Sequence, residues 1–522
     1  NYFVILAADA MGFWLLWISF AGRKISILRP KNYFVILAAD AMGFWLLWIS
    51  FTGRRISILR PKNYFVILAA GAVGFWLLWI SFTGRRIRQE RGMRMTKRIR
   101  EILKDRELFL FSIFTVILLI ITALVLATPF EIARGMLTII LTRDALVTDY
   151  FELAGFGAAF FNAGLVMGLG IFLIRRLKIP FTGFTMAVLF INAGFALFGK
   201  NPVNVLPMLF GTWLYARFHN AGMNRYVYTA LFGSCLAPMV TELVYLLPFG
   251  FWNNLLCAVA VGIFMGFVLP PLSVHTASMH MGYNLFNMGF AGGLLAFVMV
   301  CILQSFSLSG NSVFIWSYGQ PLWLAVGLYA YFTITFLYGL FLNQGSIKPL
   351  FTLMKHPGRA VADFVMMDGA GTTLLNMGIV GCVCTTYILF VGGDLAGPVI
   401  GSILTVFGFA AFGVHVRNYL PVLLGVYLST FLNHTLPTTP GIQMGAIFAA
   451  GLSPIAGQFG ILAGLIAGML HAAVVMCTSA LYGGLNLYNS GFSTGLVAVV
   501  LVPALESFIK GYKIKKDKRN KS

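Results

Sequence analysis

Two asparagine pairs offer the most chemistry in this chain. Asn284 and Asn287 stand in MGYNLFNMGFAGGLLA, from Met281 to Ala296. Asn486 and Asn489 stand in GGLNLYNSGFSTGLVA, from Gly483 to Ala498, at an offset of 202. A carboxamide has two donors and an acceptor. It can hold a neutral polar solute, cap a half-helix or bond a neighbouring helix. Both stretches lie in strongly apolar sequence, where polar, glycine-rich backbone is tolerated only inside protein or along a cavity. Asn162 in FFNAG and Asn376 in LLNMG form a third matched pair, open to the same readings. Symmetric duplication suits helix bonding, worth about 0.6–2 kcal/mol in membranes, as well as it suits a solute site.

Glu242 is the sharpest single residue. It lies in CLAPMVTELVYLLPF, just after Pro238. A charge inside a bilayer costs at least about 2.5–3.5 kcal/mol, which makes such a residue a functional candidate by default. At an offset of 216 its counterpart is the neutral Gln458. One ionisable and one neutral half suit a proton- or sodium-coupling site. The plainer reading puts Glu242 on a wet face beyond a short helix ended by Pro238. His275 and His280 are matched by Cys477 and Tyr482, so no symmetric metal site is implied, and His471 stands alone in AGMLHAAVV. The six cysteines fall in apolar runs without zinc spacing. No P-loop, strand-linked G-x-G-x-x-G, H-E-x-x-H or G-x-S-x-G is present. The expectation is a non-enzyme with no catalytic residues, no metal and no cofactor.

These residues need elements to hold them, and composition says which kind. The 522 residues are 59% hydrophobic and 10% charged, with mean hydropathy +0.87. Soluble domains carry about 25% charged residues, so the chain reads as an all-α polytopic membrane protein. Its net charge of +21 is concentrated at the ends. Residues 1–106 hold 18 Lys/Arg against 5 Asp/Glu, and residues 510–522 hold 7 against 1. Basic flanks on an apolar body set topology and attract anionic membrane lipid. No basic and aromatic groove pattern points to nucleic acid.

Residues 1–92 contain a 31-residue unit, NYFVILAADAMGFWLLWISFAGRKISILRPK, in near-identical tandem copies. Copies one and two differ only by Ala21 versus Thr52 and Lys24 versus Arg55. Repeats that share a fold usually diverge further. The expectation is a translated tandem repeat, foreign to the native fold, upstream of a start at Met93 or Met95. Residues 93–150 then supply a basic segment, a first core span at 108–127 and an outer loop. Repeat 1 covers 151–305, with spans near 153–173, 181–198, 203–217, 227–247, 254–271 and 276–305. Residues 306–363 hold a linking span at 322–342 and a cytoplasmic loop. Repeat 2 covers 364–505, with spans near 371–391, 395–413, 418–433, 441–457, 459–476 and 480–505. A basic cytoplasmic tail fills 506–522. The total is about 14 core spans, with broken or re-entrant helices at the asparagine motifs.

The duplication extends well beyond those motifs. At offset 214, Gly155, Gly157, Asn162 and Gly164 fall on Gly369, Gly371, Asn376 and Gly378. Asn204, Pro207 and Gly211 fall on Asn418, Pro421 and Gly425. Gly262/Gly266 and Gly464/Gly468 give GxxxG packing faces in both halves. Loop charges then orient the copies. Arg175–Lys178, Arg217–Arg225, Lys348–Arg359 and the tail all fall inside, while the counterparts of the first two loops lack Lys and Arg and fall outside. Only Lys200 disagrees. Six spans plus one linker invert the second copy, so the bias predicts two inverted-topology repeats.

GFGAAFFNAGLVMG, HMGYNLFNMGFAGG and YGGLNLYNSGFSTGL resemble an uncharacterised family of bacterial multi-pass membrane proteins, across about residues 95–510. That resemblance implies a bacterial inner-membrane location and no particular activity. Tyr488-Asn489 followed by Gly495-Leu496 is also similar to the pore motif of urea transporters, which are inverted duplications too. The departures are six spans per half instead of five, and Asn162-Ala163 and Asn376-Met377 where that family has Asn-Pro. This likeness implies a solute path and nothing more specific. The functional expectation is a transporter for a small polar solute. Asn284, Asn287, Asn486 and Asn489 would line the site near the midplane, and Glu242 with Gln458 would form the coupling position. The alternatives are a passive solute channel and, from another class, a membrane-embedded enzyme acting on a lipid or isoprenoid substrate. A polar cavity between the two motifs would support transport, and a dry, tightly packed seam there would sink it.

Overall fold

A computed structural model describes residues 97–144, 147–308, 314–481 and 485–519. The tandem copies of residues 1–92 lie outside the described residues. Among the described residues, nine helices are long and apolar enough to cross a membrane, the first at Arg106–Leu126 and the last at Asn489–Phe508. Large apolar side chains such as Phe172, Trp252, Val274 and Val500 are exposed along them. Exposure of this kind suits lipid and not water. The chain is an all-α, multi-pass membrane protein, with one two-residue parallel pairing of β1 (Val147–Thr148) with β2 (Phe314–Ile315).

Two short helices sit at the centre. α4 (Gly183–Phe195) and α14 (Gly397–Phe409) are largely apolar, buried but for Phe184 and packed on one another. A helix that is apolar on all sides belongs in a core. Each has 13 residues, about 20 Å at 1.5 Å per residue, which is shorter than a bilayer core. Around them, α1 (Lys97–Leu126) packs on α3 (Tyr150–Arg176), and α10 (Leu322–Leu342) packs on α13 (Ala370–Phe390). Likewise α5 (Leu206–Phe218) packs on α8 (Phe251–Met279), and α15 (Val416–Leu432) on α18 (Ile461–Leu481). α9 (Asn287–Ser305) and α19 (Asn489–Arg519) pack on each other.

Two transverse helices are interrupted at matched places. α6 (Val227–Gly233) and α7 (Ala237–Leu246) are separated by a 3-10 turn at Ser234–Leu236. α16 (Pro440–Phe448) and α17 (Ser453–Phe459) are separated by a 3-10 turn at Ala449–Leu452. Pro238 and Pro454 lie just beyond these turns. Proline lacks the N–H that would carry the α-helical ladder back across the break.

Several boundaries differ from those read in the sequence. The segment before the first asparagine motif does not break at Pro270-Pro271. Both prolines lie inside α8, and the chain turns at Met281 and Gly282, whose φ values are +51° and +80°. The stretch at 128–149, read as a loop, contains α2 (Pro129–Leu141), started by a reciprocal Thr128–Glu131 capping box. A short helix, α11 (Lys348–Leu353), lies in the segment read as a cytoplasmic loop, and another, α12 (Phe364–Asp368), precedes the first span read in repeat 2. The basic tail continues α19 as far as Arg519 instead of leaving it.

Candidate functional site

The asparagine motifs contain non-helical segments between helices. Asn284–Phe286 joins α8 to α9, and Leu485–Tyr488 precedes α19. Each segment bonds to the helix break of the other half. Leu285 N–H donates to the Gly451 carbonyl at 3.0 Å, and Leu487 N–H donates to the Cys235 carbonyl at 3.2 Å. The asparagines cross between motifs. Asn284 Nδ2 donates to the Gly491 carbonyl at 3.3 Å, and Asn486 Nδ2 donates to the Gly289 carbonyl at 3.4 Å. Thr494 Oγ1 donates to Asn284 Oδ1 at 3.0 Å.

Asn287 and Asn489 fasten the starts of their helices. Asn287 donates to the Ser273 carbonyl and accepts from Thr276 Oγ1, while Asn489 donates to the Val475 carbonyl and accepts from Thr478 Oγ1. His280 Nε2 also bonds Asn287 Oδ1, at 2.9 Å. Asn162 Nδ2 donates to the carbonyls of Ala196 and Lys200, both at 2.7 Å. Asn376 Nδ2 donates to those of Ala410 and Val414, both at 2.8 Å. The geometry thus brings the two motifs together, and in this conformation it uses all six asparagines to hold backbone.

The seam between the motifs is packed. A Cβ built on Gly289 would lie 2.7 Å from Gly491 Cα, so no larger residue fits without backbone displacement. The Phe492 ring covers Gly293, and the Phe290 ring covers Gly495. The open polar cavity expected there is replaced by contact between glycine backbones and rings.

Glu242 is buried, and its carboxylate takes a two-pronged bond from Arg143, with Nε at 2.5 Å from Oε2 and Nη2 on Oε1. Gln458, its counterpart, is exposed. The two residues therefore do not share an environment, although they share a sequence position. Pro238 starts α7 instead of ending a helix, and Glu242 lies on a buried face of it. Beside the pair, burial pushes the Asp144 carboxyl well above the usual range, against a bond from Tyr150 that lowers it.

Sequence reading missed two residues that tie the halves together. Asp149 Oδ1 accepts from Gly397 N–H at 3.1 Å, at the start of α14. Asp363 Oδ1 accepts from Gly183 N–H at 2.9 Å, at the start of α4. Each also caps its own helix, through Phe151 N–H and Val365 N–H respectively. Carboxylates at helix starts satisfy orphan N–H groups and favour the helix dipole. The two aspartates stand at the same offset of 214 as the matched glycines, a signal open to inspection in the sequence. Lys200, the one cation at odds with the charge bias, is buried, which explains why it breaks a rule about loops. His471 is buried too, bonded through Nδ1 to Ser493 Oγ at 2.9 Å and through Nε2 to the Gly445 carbonyl.

Spanning helices, lipid-facing apolar belts and buried, backbone-bonded polar residues define a multi-pass membrane protein. The chain belongs to the family described as protein of unknown function (DUF1576), whose model matches residues 128–305 and 342–507. No curated protein and no solved structure matches the chain. The likeness to urea transporters rests on its motif residues alone.

Proposed function

We propose that the chain is an integral membrane transporter for a small polar solute, built from two inverted-topology repeats with about 14 spanning elements. Each repeat contributes seven elements: α1, α3, α4, α5, α6–α7, α8 and α9 in the first, then α10, α13, α14, α15, α16–α17, α18 and α19 in the second. The exchanged bonds support this reading. Asp149 to Gly397 and Asp363 to Gly183, like Asn284 to Gly491 and Asn486 to Gly289, are reciprocal in the manner a two-fold axis produces.

The observation that carries transport is the pair of non-helical segments inside the core, each bonded to a helix break of the opposite half. A passive anchor needs no interrupted helices, whereas moving a solute past a midplane site needs backbone that can part and re-pair. The packed Gly289–Gly491 seam counts against a permanently open path; because it holds the Asn284 and Asn486 carboxamides and the Thr494 hydroxyl, it is read as a closed state. The cross-seam amide bonds of Asn284 and Asn486, at 3.3 and 3.4 Å, lie near the long limit for hydrogen bonds. They are the ones that would open, freeing the Nδ2 groups of both asparagines for solute while each Oδ1 stays bonded.

The test is uptake by the purified chain in sealed liposomes, from a panel of labelled small polar solutes, with and without proton and sodium gradients. Gradient-driven accumulation of at least one solute is expected. Flux that only equilibrates would assign a channel. Absence of flux for the whole panel, with turnover of a lipid or isoprenoid substrate, would overturn the reading in favour of an enzyme.

A further inference from the structure

Five polar residues gather beside the Tyr488 segment: Asn192 on α4, Lys200 after it, Ser234 and Cys235 in the α6–α7 break, and Tyr488 itself. All are buried. Lys200 Nζ donates to Asn192 Oδ1 at 3.0 Å and lies 5.3 Å from the centroid of the Phe195 ring. The Tyr488 ring packs edge-on against that same Phe195 ring at 5.3 Å. Ser234 Oγ donates to the Leu231 carbonyl at 2.7 Å and lies 3.3 Å from Asn192 Oδ1. Asn192 is fixed in turn, since its Nδ2 donates to the carbonyls of Val188 and Leu231. Among the described residues, no carboxylate lies within ion-pair distance of Lys200, and the Tyr488 hydroxyl has no hydrogen-bond partner.

The other half builds the same scaffold without this chemistry. At the matched positions stand Val406 for Asn192, Val414 for Lys200, Ala450 for Ser234, Gly451 for Cys235 and Phe286 for Tyr488. The match is structural as well as sequential. Asn162 holds the Lys200 carbonyl as Asn376 holds that of Val414, and Leu487 bonds Cys235 as Leu285 bonds Gly451. Asn162 Oδ1 has no partner, but neither has Asn376 Oδ1, so that feature belongs to the shared scaffold. The fold evidently stands with an apolar set at these positions. The polar set must therefore answer to something other than packing.

The chemistry of the set is one-sided. An ammonium has three donors, and one here meets Asn192 Oδ1. The Tyr488 hydroxyl adds another donor. A buried cation without a counter-charge is costly. The geometry points to a binding site for a small monovalent anion, held by Lys200 and Tyr488 and flanked by Cys235, Ser234 and Asn192. One negative charge balances one ammonium, and its lone pairs supply the acceptors that these donors lack. As the class of solute carried, this rests on the transport reading; as a binding site, it stands or falls on binding alone.

The experiment is thermal unfolding of the purified full chain in detergent, with sodium chloride, formate or bicarbonate each compared with sodium gluconate at equal ionic strength. At least one small anion should raise Tm by several degrees. The rise should vanish in Lys200→Val combined with Asn192→Val, which installs the residues of the other half, and shrink in Tyr488→Phe. No rise with any of the three anions, or an undiminished rise in the double variant, overturns the site. Should the double variant fail to fold, Tyr488→Phe decides, since that position is already Phe286 in the other half; a rise equal to wild type overturns the site. The same anions are then offered in the liposome assay. Binding without flux keeps the site and removes the transport reading. Flux of a neutral solute with no anion-dependent rise removes the site and keeps transport.

Discussion

Glu242 and Lys200 show how burial divides residues of similar promise. Both are ionisable and sit in apolar sequence, yet Glu242 is matched by the Arg143 fork and Lys200 has only a neutral acceptor. The Glu242 carboxylate is thereby committed to a structural bond joining α7 to the segment after α2. Removing one partner of a buried pair leaves an uncompensated charge, and removing both is far less harmful. Arg143→Gln should therefore destabilise the protein on the order of 2 kcal/mol, less than for a fully dry pair because Arg143 keeps some water. Arg143→Gln combined with Glu242→Gln should recover most of that loss. Thermal unfolding of both variants checks this, and additive losses would show that the pair is not coupled. Glu242 was legible in the sequence because a lone acid in an apolar run stands out. Its partner was not, because Arg143 is 99 residues away and nothing in the sequence joins them.

Among elements, α9 and α19 come into close backbone contact where Gly289 meets Gly491. A methyl at Gly289 would meet Gly491 Cα at 2.7 Å and Tyr488 Cγ at 2.8 Å. Neither can yield cheaply, one being backbone and the other the base of a buried ring. Gly289→Ala should cost about 1–3 kcal/mol by overpacking. Gly327→Ala, in α10 with open space around it, should be neutral or stabilising, as alanine favours helix over glycine by about 1 kcal/mol. Equal Tm shifts for the two variants would refute the close-packed seam. Gly155 and Gly369 make the backbone case for the duplication. Both have positive φ, at +81° and +86°, and both allow a helix to be entered at an angle that a side chain would strain. Matched glycines in the sequence foretold shared geometry here. They did not foretell that α8 would carry Pro270 and Pro271 without breaking, because helix continuity there depends on neighbouring packing as well as on local N–H loss.

For the whole molecule, the proposed inverted arrangement makes a topological prediction. Asn220 and His434 are exposed, stand at the matched offset of 214, and follow α5 and α15. Cysteines placed singly at these positions, with the exposed Cys301 and Cys477 replaced by serine, should react with a membrane-impermeant maleimide from opposite faces. Labelling of both from one face would refute the inversion. The sequence by itself determined the membrane class and showed the matched glycines, prolines and asparagines, but not the helix breaks at Ser234–Leu236 and Ala449–Leu452. The class and the matches rest on composition and on glycine, proline and asparagine, whose effects on the backbone are local. Only the tertiary structure decided what the polar residues meet. The asparagines proved to bind carbonyls across the seam, Glu242 to bind Arg143, and Asp149 and Asp363 to cap helices of the opposite half. Hydrogen bonds and ion pairs depend on distances between segments remote in the chain, and those distances exist only once the helices have packed.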